Sequence, residues 1–111
     1  WPFNVKEFRY ACAYAVDKQD LVDTLLLGYG IPGPVGVEAP FYTYWYNPDV
    51  PETYTFNLTK SAEILDELGY VDTDDDGIRE GSGEHAGEPI EFDIGPPIYD
   101  PVRVRASELI A

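Results

Sequence analysis

Apolar residues recur at spacings of three and four through the first stretch of the chain: Val5, Phe8, Ala11, Cys12, Ala15 and Val16. That period predicts a helix over about 5–16 with one buried face. Asn4 stands where a cap belongs, and Glu7 is placed to reach back to it as in a capping box. Asp17 closes this segment and can cap a second helix over about 18–27, with Leu21, Val22, Leu25 and Leu26 as its core stripe and Gly28 as its stop. A third helix is expected over about 58–68. Asn57 or Thr59 would cap it, Ala62, Leu65 and Leu68 would line one face, and Gly69 would end it. Ile90, Phe92 and Ile94 alternate with Glu91 and Asp93, which predicts a strand over about 90–94, broken by Pro96-Pro97. Asp100-Pro101 starts a last helix over about 101–111.

The connections differ in kind. From Gly28 to Pro51 the chain is too rich in glycine and proline for a helix, and it carries the densest aromatic run, Phe41-Tyr42-Thr43-Tyr44-Trp45-Tyr46. From Val71 to Glu88 it is acidic and glycine-rich. The expected class is α/β, mostly helical with a small sheet. One strand makes no stable sheet by itself, so this pattern belongs within something larger.

Several blocks, in order, resemble the family 5 extracellular solute-binding proteins, the oligopeptide, dipeptide and nickel-type receptors of ABC importers. Pro2-Phe3 leads into a helix reading Arg9-x-Ala11-x-x-x-Ala15-Val16-Asp17-Lys18. Leu26-Leu27-Gly28-Tyr29-Gly30 follows, with prolines at 32, 34 and 40. Then come Ala62-Glu63-Ile64-Leu65-Asp66-Glu67-Leu68-Gly69-Tyr70, the run from Asp72 to Gly77-Ile78, Gly87-Glu88-Pro89-Ile90, and Ala106-Ser107-Glu108-Leu109-Ile110. Two departures stand out. Asn57-Leu58 replaces the family's usual Asp-Pro, and Asp75 takes the place of a common central glycine.

The resemblance implies that residues 1–111 are the first half of the C-terminal lobe of a two-lobed receptor with a periplasmic-binding-protein type II-like fold. Such a receptor closes on its ligand like a hinge. It also implies a location outside the cell, in the periplasm or anchored at the outer surface, with these residues downstream of any export signal. The family's ligand-amine-binding acid would fall beyond Ala111.

Composition sharpens this picture by exclusion. Acidic residues number 21 against 7 basic ones, a formal charge of -14. Such a chain repels phosphate backbones, so nucleic acid is not an expected partner. One cysteine, Cys12, excludes an internal disulfide and a multi-cysteine zinc site, and it reads as a small buried hydrophobe. The single histidine, His85, reads as a surface residue in a glycine-rich loop. No apolar run approaches the ~18 residues of a membrane span.

The acidic loop is the best local site. Hard cations such as Ca2+ favour oxygen ligands at the first, third and fifth positions of a loop, with glycine at the sixth for a sharp turn. Counted from Asp72, these are Asp72, Asp74, Asp76 and Gly77, followed by the Ile78 carbonyl and by Glu80 at the ninth position. The twelfth position is Gly83, so the bidentate glutamate of an EF-hand is missing, and Glu84 or Glu88 would have to replace it. The expected role is a structural staple of the loop, or else a solvated acidic turn. Tyr42, Tyr44, Trp45 and Tyr46 are the candidate ligand-binding residues, since they offer flat apolar faces with polar tips. Their alternative role is packing. Arg9 is expected to pair with a core carboxylate and Asp17 to cap a helix. Asn57-Leu58-Thr59 is also a glycosylation sequon, but it coincides with a helix cap.

Catalysis finds little support. No Ser-His-Asp arrangement can be placed, and the carboxylates cluster in a loop, not in an apolar pocket. The leading reading is therefore a non-enzymatic receptor for peptides or related small solutes that docks on the permease of an ABC importer. The rival from another class is a calcium-dependent extracellular structural or adhesion module, and a piece of a secreted hydrolase stands third. Apolar surface meant for a missing partner would leave the isolated piece prone to self-association.

Overall fold

A computed structural model describes residues 1–33, 42–49 and 54–111. Pro34, Pro40 and Phe41 of the long proline-rich loop lie outside the described residues. Among the described residues there are four helices: α1 (Lys6–Ala15), α2 (Lys18–Leu26), α3 (Leu58–Glu67) and α4 (Pro101–Ile110). A 3-10 turn covers Gly83–His85. The chain divides into two units, Trp1–Ala15 with Asn57–Asp93, and Val16–Phe56 with Ile94–Ala111.

The first unit is built on α1 packed against α3. Small residues set their approach. Ala11 is buried on α1, and buried Ser61 on α3 donates its hydroxyl to the Ala11 carbonyl at 2.9 Å. The Asn57 N–H reaches the Tyr14 carbonyl at 2.9 Å, so α3 starts where α1 ends. The Asn57 side chain caps α3 by accepting from Lys60 N at 2.9 Å. The expected capping box of Asn4 and Glu7 does not form. Instead the Val5 N–H closes a turn onto the Pro2 carbonyl, and Pro2 is fully buried, so the lead segment sets the start of α1.

Aromatic rings fill the space beyond the two helices. Phe8 is buried, and Phe3 meets both Phe8 and Phe92 edge to face, with centroids at 5.2 and 4.9 Å. Arg9, expected to meet a carboxylate, donates to the Phe3 carbonyl at 2.7 Å and so fixes the lead segment. Gly69, at φ +72°, ends α3, and the chain turns into Tyr70, which is buried. Arg79 returns to this corner, donating to Asp66 at 2.6 Å and to the Tyr70 carbonyl.

Residues 90–94 do not form the expected strand. Pairing among the described residues is limited to isolated bridges, Val71 with Glu80, Glu80 with Pro89, and Gly81 with Ala86. The Ile90 N–H reaches the Arg79 carbonyl at 2.8 Å, but the contact does not continue into a ladder. A strand needs a neighbour along its length, and alternation alone cannot supply one. The described residues are thus mostly helical with almost no strand.

In the second unit, Asp17 caps α2 by accepting from Gln19 N and Asp20 N at 3.1 and 3.0 Å. The helix ends at Leu27, in the left-handed region at φ +52°, and then at Gly28. Val22 is its buried residue. Gly30 folds back so closely that an added Cβ would meet Leu26 at 3.0 Å. Asp100 caps α4 by accepting from Val102 N and Arg103 N, with Pro101 in the first turn. α2 and α4 lie against one another. Among the described residues, no helix is long and apolar enough to cross a membrane.

Candidate functional site

The acidic loop is closed at its base by the Val71–Glu80 bridge, with the Glu80 N–H on the Val71 carbonyl at 3.0 Å. Asp72 organises the turn. One of its oxygens accepts from Asp75 N and Asp76 N, at 2.7 and 3.2 Å, and the other accepts from Gly77 N at 2.9 Å. Asp76 accepts from Ile78 N at 2.8 Å. Asp75 and Gly77 both take positive φ, 64° and 91°, and this tightens the turn. Glu80 is 8% exposed, and its Oε2 accepts from Thr73 N and Thr73 Oγ1 at 2.7 and 2.6 Å.

This geometry brings one carboxylate oxygen each from Asp72, Asp74, Asp76 and Glu80 within 4.8 Å of one another. Two oxygens bound to one calcium ion at about 2.4 Å can be no more than about 4.8 Å apart. The four therefore fit around one hard cation. The three aspartates are exposed and Glu80 is buried beneath them, so a cation would enter from the solvent side. Ile78 follows in the same turn, but its side chain lines an apolar cavity. Glu88 is turned to other use, with an oxygen 2.9 Å from His85 Nδ1.

That cavity, about 310 Å³, lies within the first unit. Phe8, Ala11 and Cys12 of α1, Leu65 of α3, Ile78 and Arg79 of the acidic loop, and Ile90 and Phe92 line it. Cys12 is half-buried there, and burial pushes its thiol above the ordinary value, with a backbone hydrogen bond opposing the shift. The lone histidine is less exposed than a surface residue would be. The His85 ring stacks on Trp1 at 4.4 Å, and Gly81 lies so close beneath them that an added Cβ would sit 2.5 Å from both the Trp1 ring and the His85 carbonyl. No local sequence signal joins Trp1 to His85, because the pairing spans almost the whole unit.

The aromatic candidates fall in the second unit. Tyr42, Tyr44 and Trp45 are exposed and Tyr46 is half-buried. Trp45 N and Tyr46 N both donate to the Tyr42 carbonyl at 2.9 Å, so the four share one turn. Tyr44 and Trp45 meet edge to face, with centroids at 5.1 Å.

A helical scaffold with an acidic turn and an exposed aromatic turn has the features of a binding module. All 111 residues match one family of that class, described as bacterial extracellular solute-binding proteins, family 5, middle, and the chain belongs to it. A probable ABC transporter-binding protein of Deinococcus radiodurans is 36% identical over 91 residues, covering 82% of this chain and 14% of that protein. The oligopeptide-binding protein AppA of Bacillus subtilis is 26% identical over 106 residues, covering 96% of this chain and 19% of that protein. The chain thus spans less than a fifth of the length of these relatives.

Proposed function

We propose that this chain is part of the substrate-binding component of an ABC importer. The complete receptor would capture peptides or related small solutes outside the membrane, close its lobes around them and deliver them to the permease. Family membership along the whole chain is the observation that carries this reading. The names of the two relatives support an ABC-transporter role, and one of them supports oligopeptides as the cargo. On this reading the residues belong to the C-terminal lobe, work outside the membrane and carry no catalysis. Tyr42, Tyr44, Trp45 and Tyr46 would contact ligand, since flat rings with polar tips suit a wet, adaptable recognition surface.

Within the receptor, the acidic loop would hold one structural Ca2+ through Asp72, Asp74, Asp76 and Glu80, with the Ile78 carbonyl as a further oxygen. The convergence of four carboxylate oxygens supports this. The same convergence favours the second reading, a calcium-dependent extracellular structural module with no transported cargo.

A thermal-shift screen of the full-length protein against short peptides, sugars and metal chelates separates the two. A ligand at a hundred times its Kd stabilises by about 2.7 kcal/mol, a shift that a melt resolves easily. A clear rise with short peptides is the expected result. A rise with sugars alone would keep the receptor and change its cargo. No rise with any solute, and a rise with calcium alone, would replace transport by the structural module.

A further inference from the structure

The chain has three asparagines, Asn4, Asn47 and Asn57. Only Asn57 has a hydroxyl residue two positions on, Thr59, with a residue other than proline between them. That is the pattern an asparagine-linked glycan requires, and it requires it at the surface. Asn57, Leu58 and Thr59 are all exposed. The chain enters them through residues 54–56, which belong to no helix or strand.

The sequon coincides with the cap of α3, but the two uses draw on different atoms. The cap takes the side-chain oxygen: Asn57 Oδ1 accepts from Lys60 N at 2.9 Å. The backbone N–H of Asn57 goes to the Tyr14 carbonyl, also at 2.9 Å. A glycan is carried on the side-chain nitrogen, and among the described residues no hydrogen bond engages Asn57 Nδ2. An amide that bears a sugar on its nitrogen keeps its carbonyl oxygen as an acceptor, so the cap survives the modification. The Thr59 hydroxyl is equally open. Ser61, Thr73, Ser82 and Ser107 all spend theirs on oxygen acceptors within the fold, whereas Thr59 Oγ1 has no such bond among the described residues.

We propose that Asn57 is the acceptor of an N-linked glycan. The donor is an oligosaccharide held through its anomeric carbon on a lipid phosphate or pyrophosphate. The bond from that carbon to the phosphate oxygen breaks, and the lipid phosphate leaves with the electron pair. A new bond joins the carbon to Asn57 Nδ2, which gives up one proton to a base of the transferring enzyme. Nothing is oxidised or reduced. The proposal rests on the reading of this protein as one that works outside the membrane, where such glycans are displayed.

The test uses full-length protein purified from the organism that makes it, fractionated into exported and cytoplasmic pools. Cleavage after glutamate releases residues 53–63, which contain Asn57, for mass spectrometry. The expected result is a glycan mass on this peptide in the exported pool, with fragmentation placing it on Asn57. Thr59→Ala leaves Asn57 and its bond to Lys60 N in place, and it is expected to lose that mass completely, whereas Thr59→Ser is expected to retain it. An exported protein with unmodified Asn57 would overturn the proposal and leave the receptor reading standing. Protein found only in the cytoplasm would overturn both. A mass that persists in Thr59→Ala would overturn the sequon as its cause.

Discussion

At the scale of single residues, Asp75 is the most instructive. Its backbone stands at φ +64°, a region where a side chain costs energy and glycine does not. The resemblance to the receptor family places a glycine at this position, and the structure supplies the reason. Asp75 is also one of four aspartates within five residues, yet it is not among the four carboxylates that converge. Asp75→Gly is therefore expected to stabilise the protein by about 0.5–1 kcal/mol, through relief of backbone strain and of charge repulsion. Urea unfolding measures this, and a loss of stability would show that the Asp75 carboxylate is needed in the turn. The spacing from Asp72 pointed to Glu80 as a ligand, but nothing in the sequence indicated its burial. That burial follows from the Val71–Glu80 bridge and the two bonds from Thr73, which only the folded loop creates.

At the scale of elements, what was legible is what is local. The helices were expected at about 5–16, 18–27, 58–68 and 101–111, and they lie at Lys6–Ala15, Lys18–Leu26, Leu58–Glu67 and Pro101–Ile110. Period and caps both lie within a few residues, so sequence alone can carry them. Val102-Arg103-Val104-Arg105 alternates by two, as a strand would, yet it is helical. The side chain of Asp100 and the ring of Pro101 start the helix before that alternation can act. Residues 90–94 show the opposite case, a local alternation that finds no continuous ladder among the described residues. The caps can be weighed directly. Asp17→Ala is expected to cost about 1 kcal/mol in chemical denaturation, and Asp17→Asn much less, because either side chain can accept from Gln19 N and Asp20 N. Equal losses in both variants would mean that the charge of Asp17 matters and its capping bonds do not.

At the scale of the whole molecule, the charge of -14 dominates. Like charges at this density oppose compaction, and a bound divalent cation offsets them where they are densest. Calcium at a hundred times its Kd is expected to raise stability by about 2.7 kcal/mol, read as a higher Tm in the full-length protein after chelation and re-addition. Asp72→Asn should abolish that increment, since Asp72 both converges on the site and organises the turn. A melt indifferent to millimolar calcium would leave the loop as a solvated acidic turn. Family membership was legible at this scale because it rests on the order of many short blocks, each weak alone.

The stacking of Trp1 on His85 has an optical consequence. The chain has two tryptophans, and they are divided between the two units, Trp1 in the first and Trp45 in the second. Trp45 is 72% exposed and should emit as an indole in water, whereas the Trp1 ring lies against an imidazole that can quench it. Emission colour and intensity therefore report on different halves of the molecule, and replacing either indole by phenylalanine leaves a single natural probe for the unit that retains the other.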